Sequence, residues 1–244
     1  AAAAGALRDL NRGYTSNGRD STVTVFDLKT LAPLNSIKVT GRNPDAIAYE
    51  PVSRRLFTFN GGSANTTAID PSSGKVVGTL DLGGKPEFAV SDGRGLMFVN
   101  IEDKGELVAF DARTLAIQRR WALASCEEPT GLAIDRARRR LFSVCGNGVM
   151  VISDADAGRV LTTVPIGAGT DGAAFDPGTR LAFSSNGEGS MTVVREGSAD
   201  TFRVVGTVPT QRGGRTGALG ERTPRVYTVA ADFGPTPQPT ADRL

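Results

Sequence analysis

Residues 45–85 read DAIAYEPVSRRLFTFNGGSANTTAIDPSSGKVVGTLDLGGK, and this stretch decides the fold. Asp45-Ala46-Ile47-Ala48-Tyr49-Glu50 is a short strand, ended by the polar turn Pro51-Val52-Ser53-Arg54-Arg55. Leu56-Phe57-Thr58-Phe59-Asn60 is a second, rich in aromatic and β-branched residues and stopped by Gly61-Gly62-Ser63. Thr66-Thr67-Ala68-Ile69 makes a third and closes in the turn Asp70-Pro71-Ser72-Ser73-Gly74. Val76 to Leu82 is the fourth, and Gly83-Gly84-Lys85-Pro86 leads into the next copy. Four short strands within about 42 residues leave no room for a long helix and describe one blade of a β-propeller.

The same template extends in both directions from this stretch, starting at Arg12. A proline before an apolar strand recurs at Asn43-Pro44-Asp45, Lys85-Pro86-Glu87 and Glu128-Pro129-Thr130, with weaker copies at Thr170-Asp171-Gly172 and Arg215-Thr216-Gly217. An apolar strand ending at a turn-opening aspartate recurs at Asp27, Asp70, Asp111 and Asp154. Complete units start near Asp45, Glu87, Thr130 and Asp171, while the first lacks its initial strand and the last stops after two. The fold class is therefore all-β: a propeller of four-stranded antiparallel blades, about six of them visible with the first and last incomplete. An open ring exposes strand edges that natural sheets avoid, so seven blades are expected in the full protein. A β-sandwich is the alternative, but it does not repeat so regularly. Residues 1–11 read as a tag-like or unassigned segment, 12–234 as a single propeller domain and 235–244 as a Pro-rich loop or tail. Gly217 and Gly220 weaken the strands of the last unit.

At 244 residues the chain is long enough for one large all-β domain, and its 30 Gly and 13 Pro are spread over the turns of the repeats. The net charge of +2 gives no overall field for nucleic acid. No apolar run approaches the roughly 18–20 residues that span a bilayer. There is no histidine, which removes Ser-His-Asp triads, imidazole ligation of haem and the common zinc sites.

The phrases Tyr14-Thr15-Ser16-Asn17-Gly18, Thr22-Val23-Thr24-Val25-Phe26-Asp27, Gly74-Lys75-Val76-Val77-Gly78-Thr79-Leu80 and Gly158 to Gly167 resemble the YVTN-repeat β-propellers. That group includes the YncE-like periplasmic proteins of the lactonase-like superfamily. The resemblance runs from Arg12 to Phe233 and rests on structural residues, so it implies fold more than activity. It implies an exported protein in the periplasm or another extracytoplasmic compartment. It also implies a range of roles: lactonases, ligand binders and binders of single-stranded DNA.

Antiparallel alternation sends the links between blades, and the loops between second and third strands, to one face of the ring. That top face gathers Arg42, Asp45, Lys85, Glu87, Glu128, Asp171 and Arg215 as candidate ligand-binding residues around the channel mouth. Carboxylates in that ring could accept a divalent cation such as calcium, although no ligand set recurs with motif-grade spacing. The recurrent asparagines after the second strands, at 17, 60, 100, 147 and 186, read as turn-shaping rather than functional. The opposite face carries Arg136, Arg138, Arg139 and Arg140, the one run dense enough for a polyanion patch. Aspartates and glutamates nearby offset it, and stacking aromatics are scarce, which ranks nucleic acid last among partners.

Cys126 precedes one inner strand and Cys145 ends the next, with the turn at Arg136–Arg139 folding the two into a hairpin. Both then lie at its open end, where a disulfide fits; the alternative is two unpaired, half-buried thiols. A bridge closing about 20 residues contributes roughly 3 kcal/mol in the chain-entropy model and points to an oxidising compartment.

Three functions follow. The first is a non-catalytic, monomeric propeller that binds a small polar ligand, a peptide or an envelope protein on its top face. The second is a lactonase-type hydrolase in which axial carboxylates hold a divalent ion that activates water. The third is binding of polyanions or single-stranded DNA by the arginine turns. The first is the expectation, with no catalytic residue and no cofactor assigned.

Overall fold

Short apolar strands separated by turn residues make each complete repeat a four-stranded antiparallel sheet whose middle strands are buried almost throughout. The computed structural model describes residues 4–198, 200–220, 225–232 and 234, so the Pro-rich segment 235–244 lies outside the described residues. The first blade comprises β1 (Ala4–Leu7), β2 (Arg12–Asn17), β3 (Thr22–Asp27) and β4 (Pro33–Lys38), and the second β5 (Pro44–Glu50), β6 (Arg55–Asn60), β7 (Asn65–Asp70) and β8 (Lys75–Asp81). The third holds β9 (Pro86–Ser91), β10 (Leu96–Ile101), β11 (Glu106–Asp111) and β12 (Ile117–Ala122). The fourth holds β13 (Pro129–Asp135), β14 (Arg140–Cys145), β15 (Val149–Asp154) and β16 (Arg159–Pro165). The fifth holds β17 (Thr170–Asp176), β18 (Leu181–Asn186), β19 (Ser190–Glu196) and β20 (Phe202–Pro209), and the sixth sheet pairs β21 (Thr216–Leu219) with β22 (Val226–Val229). Strands pair with their sequence neighbours, as in a propeller.

The first blade corrects the expectation that it lacks an inner strand. Ala4–Leu7 pairs with β2 in the register Ala4↔Thr15 to Leu7↔Arg12. Ala and Gly have poor strand propensity, but close approach of inner strands calls for a small residue at one position of this ring. A Cβ on Gly131 would lie 2.6 Å from the Asp171 carbonyl oxygen and 2.7 Å from the Ala173 nitrogen, both backbone atoms of the next inner strand. One on Gly217 of β21 would meet the Tyr227 carbonyl of its own paired strand, β22, at 2.9 Å.

Turn aspartates act as the repeat suggests. Asp27 Oδ1 accepts from the Lys29 and Thr30 amides, Asp111 Oδ1 from Arg113 and Thr114, and Asp154 Oδ1 from Asp156 and Ala157. Asp70 accepts from the Ser72 amide and from the Ser72 and Ser73 hydroxyls. These hydrogen bonds, with the Ser72 hydroxyl first, lower Asp70 to about 2.

The core lies between blades, as facing sheet surfaces require. Phe57, Phe59 and Phe110 fill the layer between blades two and three. Phe142 stacks on Phe175 at 5.1 Å between blades four and five. Cys126 and Cys145 are disulfide-bonded, 5.4 Å apart at Cα, within the layer between blades three and four.

Asn17, Asn60 and Asn186 are structural: each end-of-strand amide donates to hydroxyl or amide oxygens on the third strand of its own blade. Asn100 is not their equivalent. The register pairs Asn60 with Asn65 and Ile101 with Glu106, so Ile101 takes that place in blade three. One residue earlier, Asn100 points to the other side of its sheet and donates to the Thr130 and Gly131 carbonyls of blade four.

Candidate functional site

The inner strands begin in equivalent registers, Pro44↔Asn60, Pro86↔Ile101, Pro129↔Cys145 and Thr170↔Asn186. The residue after each of these starts is Asp45, Glu87, Thr130 and Asp171. All four line a cavity of about 480 Å³ at the channel mouth, within the range of small-molecule sites. Lys85, Glu128 and Arg215 line it too, so six of the seven predicted residues come together.

Arg42 does not line the cavity: its side chain donates to the Gly62 carbonyl at 3.1 Å on the exposed surface of its own blade. Glu128 is at the rim instead of in the ring position, which Thr130 takes in blade four. It precedes Pro129 in left-handed backbone at φ 49°, as Asn43 does before Pro44 at φ 53°. The lining residues not singled out from the sequence include Glu102 and Phe88. Glu102 opens the loop after β10, which topology already assigns to the top face.

Five carboxylates, Asp45, Glu87, Glu102, Glu128 and Asp171, share this lining with two cations. Lys85 Nζ is 2.8 Å from Glu87 Oε1 and also bonds Glu102. Burial opposes its charge, but hydrogen bonds to Glu102 and Glu87 outweigh that and raise its pKa. Burial pushes Glu87 up to about 7, against the lowering pull of Lys85 and with added repulsion from Glu102 and Asp45. Asp171 is likewise raised, chiefly by burial and further by Asp45 and Glu102, with Arg215 opposing from 3.9 Å. Carboxylates from three blades thus feel one another across the mouth.

Among the described residues no three acidic side chains are grouped as a metal-ligand set. Lys85 occupies the space between Glu87 and Glu102.

The arginine run is not an open basic patch. Arg139 lies between Asp92 at 2.8 Å and Asp156 at 2.9 Å, with its guanidinium 5.8 Å from the Phe98 ring centroid. Arg140 pairs with Asp154 at 3.1 Å and Asp200 at 2.8 Å. Arg138 reaches Asp135 at 3.3 Å, and Arg136 Nε donates to the Ser91 carbonyl at 2.9 Å. These contacts join blades three, four and five and absorb charge that a polyanion would need.

No family model and no curated protein sequence matches this chain. Among solved structures, the chain is similar to a propeller in the crystal structure of the mitotic checkpoint complex. The TM-score is 0.80 at 14% identity, covering 93% of this chain and 70% of that one. At that identity the likeness shows the fold. The chain is a β-propeller. No helix among the described residues of the propeller is long and apolar enough to cross a membrane.

Proposed function

We propose that this propeller is a non-catalytic binding protein whose channel mouth takes a small polar ligand, in an exported member of the YVTN-repeat group. The observation that carries the reading is the cavity of about 480 Å³ in which Asp45, Lys85, Glu87, Glu128, Asp171 and Arg215 converge. Such a cavity buries enough of a small molecule to bind it, and the mixed charges supply orientation. The chain has no histidine, and no acidic set in the described residues is spaced to hold a metal, which places lactonase-type hydrolysis second. The Cys126–Cys145 disulfide supports an oxidising, extracytoplasmic location.

The test is a screen of small-molecule mixtures by ligand-observed NMR, on the native chain and on a Glu87→Gln/Asp171→Asn double variant. Ligands that bind the native chain and are lost in the variant, with its circular dichroism unchanged, support the channel site. Ligands bound equally by both overturn it.

A further inference from the structure

Phe88 stands on β9 where the register-equivalent residues of blades two, four and five are Ala46, Gly131 and Gly172. Those blades show that the ring closes with a small side chain at this place, so packing does not call for an aromatic one. The ring is 40% exposed, and it forms part of the cavity wall. An apolar aromatic face left open inside a charged cavity is a surface for a ligand to cover.

The charges around it select the sign of that ligand. Lys85 is shared between Glu87 and Glu102. Among the described lining residues, Arg215 is then the remaining cation for Asp45, Glu128 and Asp171, and it stands 3.9 Å from Asp171. An anion would meet this acidic excess, whereas a cation relieves the repulsion among the carboxylates. A compact divalent ion needs oxygens converging within bonding distance, which the described residues do not offer. An organic cation has no such need: its charge is satisfied by spaced carboxylates and by the face of an aromatic ring.

We propose that the channel mouth binds a small organic cation, a protonated amine on an apolar body, with Phe88 against the body and Asp45, Glu128 and Asp171 around the nitrogen. The proposal rests on the channel-site reading above and names the ligand class.

Isothermal titration of the intact protein with three probes of one shape tests it: phenethylammonium, 2-phenylethanol and phenylacetate. Phenethylammonium binds, the alcohol binds about tenfold more weakly or not at all, and phenylacetate does not bind. Phe88→Ala weakens phenethylammonium by about threefold. Asp171→Asn weakens it by about tenfold, with thermal unfolding used to confirm that both variants are folded. Equal binding of the alcohol, tighter binding of phenylacetate, or full affinity in Phe88→Ala overturns the proposal. If none of the three probes binds while the NMR screen yields ligands lost in the double variant, the cation class is overturned and the channel reading stands. If that screen yields only ligands indifferent to the double variant, both fall.

Discussion

Glu196 is a carboxylic acid with almost no access to water, 2% exposed at the end of β19. Burial, then its hydrogen bond and charge repulsion with Asp135, raise it to about 7, while Arg138 and Arg180 pull the other way. Arg138 stands 3.3 Å from Asp135 and 3.9 Å from Glu196, and Arg140 senses the same charge. A protonated Glu196 donates to the Asp135 carboxylate, whose own pKa is lowered. The folded pKa of Glu196 lies above the unfolded value, so its stabilising contribution is complete below about pH 4.3 and is lost as pH rises through about 7. Glu196→Gln keeps a donor for Asp135 without the charge. Equilibrium urea unfolding from pH 5 to 8 should show the native chain losing of order 2 kcal/mol that the variant retains. Parallel pH profiles would remove this account. Arg139 makes a second residue-scale prediction. Its loss strands the buried Asp92 carboxylate, so Arg139→Ala should cost about 3 kcal/mol in the same assay. The sequence placed acids beside these arginine turns but not which arginine each one meets, because Arg139 and Asp92 are 47 positions apart and Arg140 and Asp200 are 60. A run of arginines shows its own charge but not the acids that neighbouring blades bring to it.

At the scale of the element, the hairpin β13–β14 combines what was legible with what was not. Its two cysteines sit near the open end, so their meeting followed from the turn between them and the antiparallel pairing. Replacing Cys126 and Cys145 together by alanine should cost about 3 kcal/mol, read as a lower urea midpoint, and reductant should produce a like loss in the native chain. A variant as stable as the native protein would show that the bridge contributes nothing. The turn aspartates were equally legible, since each bonds amides two or three residues ahead. Asp70→Ala should cost about 1 kcal/mol by the loss of such bonds. Register was harder to read. A one-residue offset moves Asn100 to the other side of its sheet and puts Ile101 where blades one, two and five keep asparagine, and the loop lengths alone do not reveal it.

At the scale of the whole molecule, the inner strands of blades four and five approach so closely at Gly131 that a Cβ has no room. Gly131→Ala sets a Cβ 2.6 Å from backbone that cannot swing aside, so about 2 kcal/mol of destabilisation is expected. Gly206→Ala on the outer strand β20 meets nothing within 4 Å and should be neutral or slightly stabilising. Thermal unfolding of the two variants side by side checks the contrast, and equal midpoints would deny the crowding. This closeness also creates the channel mouth, where side chains from different blades share one cavity. The repeat by itself determined the blades, their order, the capped turns and the face on which the acidic residues emerge. Those features come from short apolar strands separated by turn residues and from hydrogen bonds between residues near in sequence. Only the tertiary structure decided that Thr130 and not Glu128 takes the ring position, that Arg42 stays outside, and that Glu102 and Phe88 enter. It also decided that Arg138, Arg139 and Arg140 each meet an acid. The physical reason is that cavities and ion pairs depend on distances between blades, which are set by how inner strands pack around the axis and are written in no single repeat.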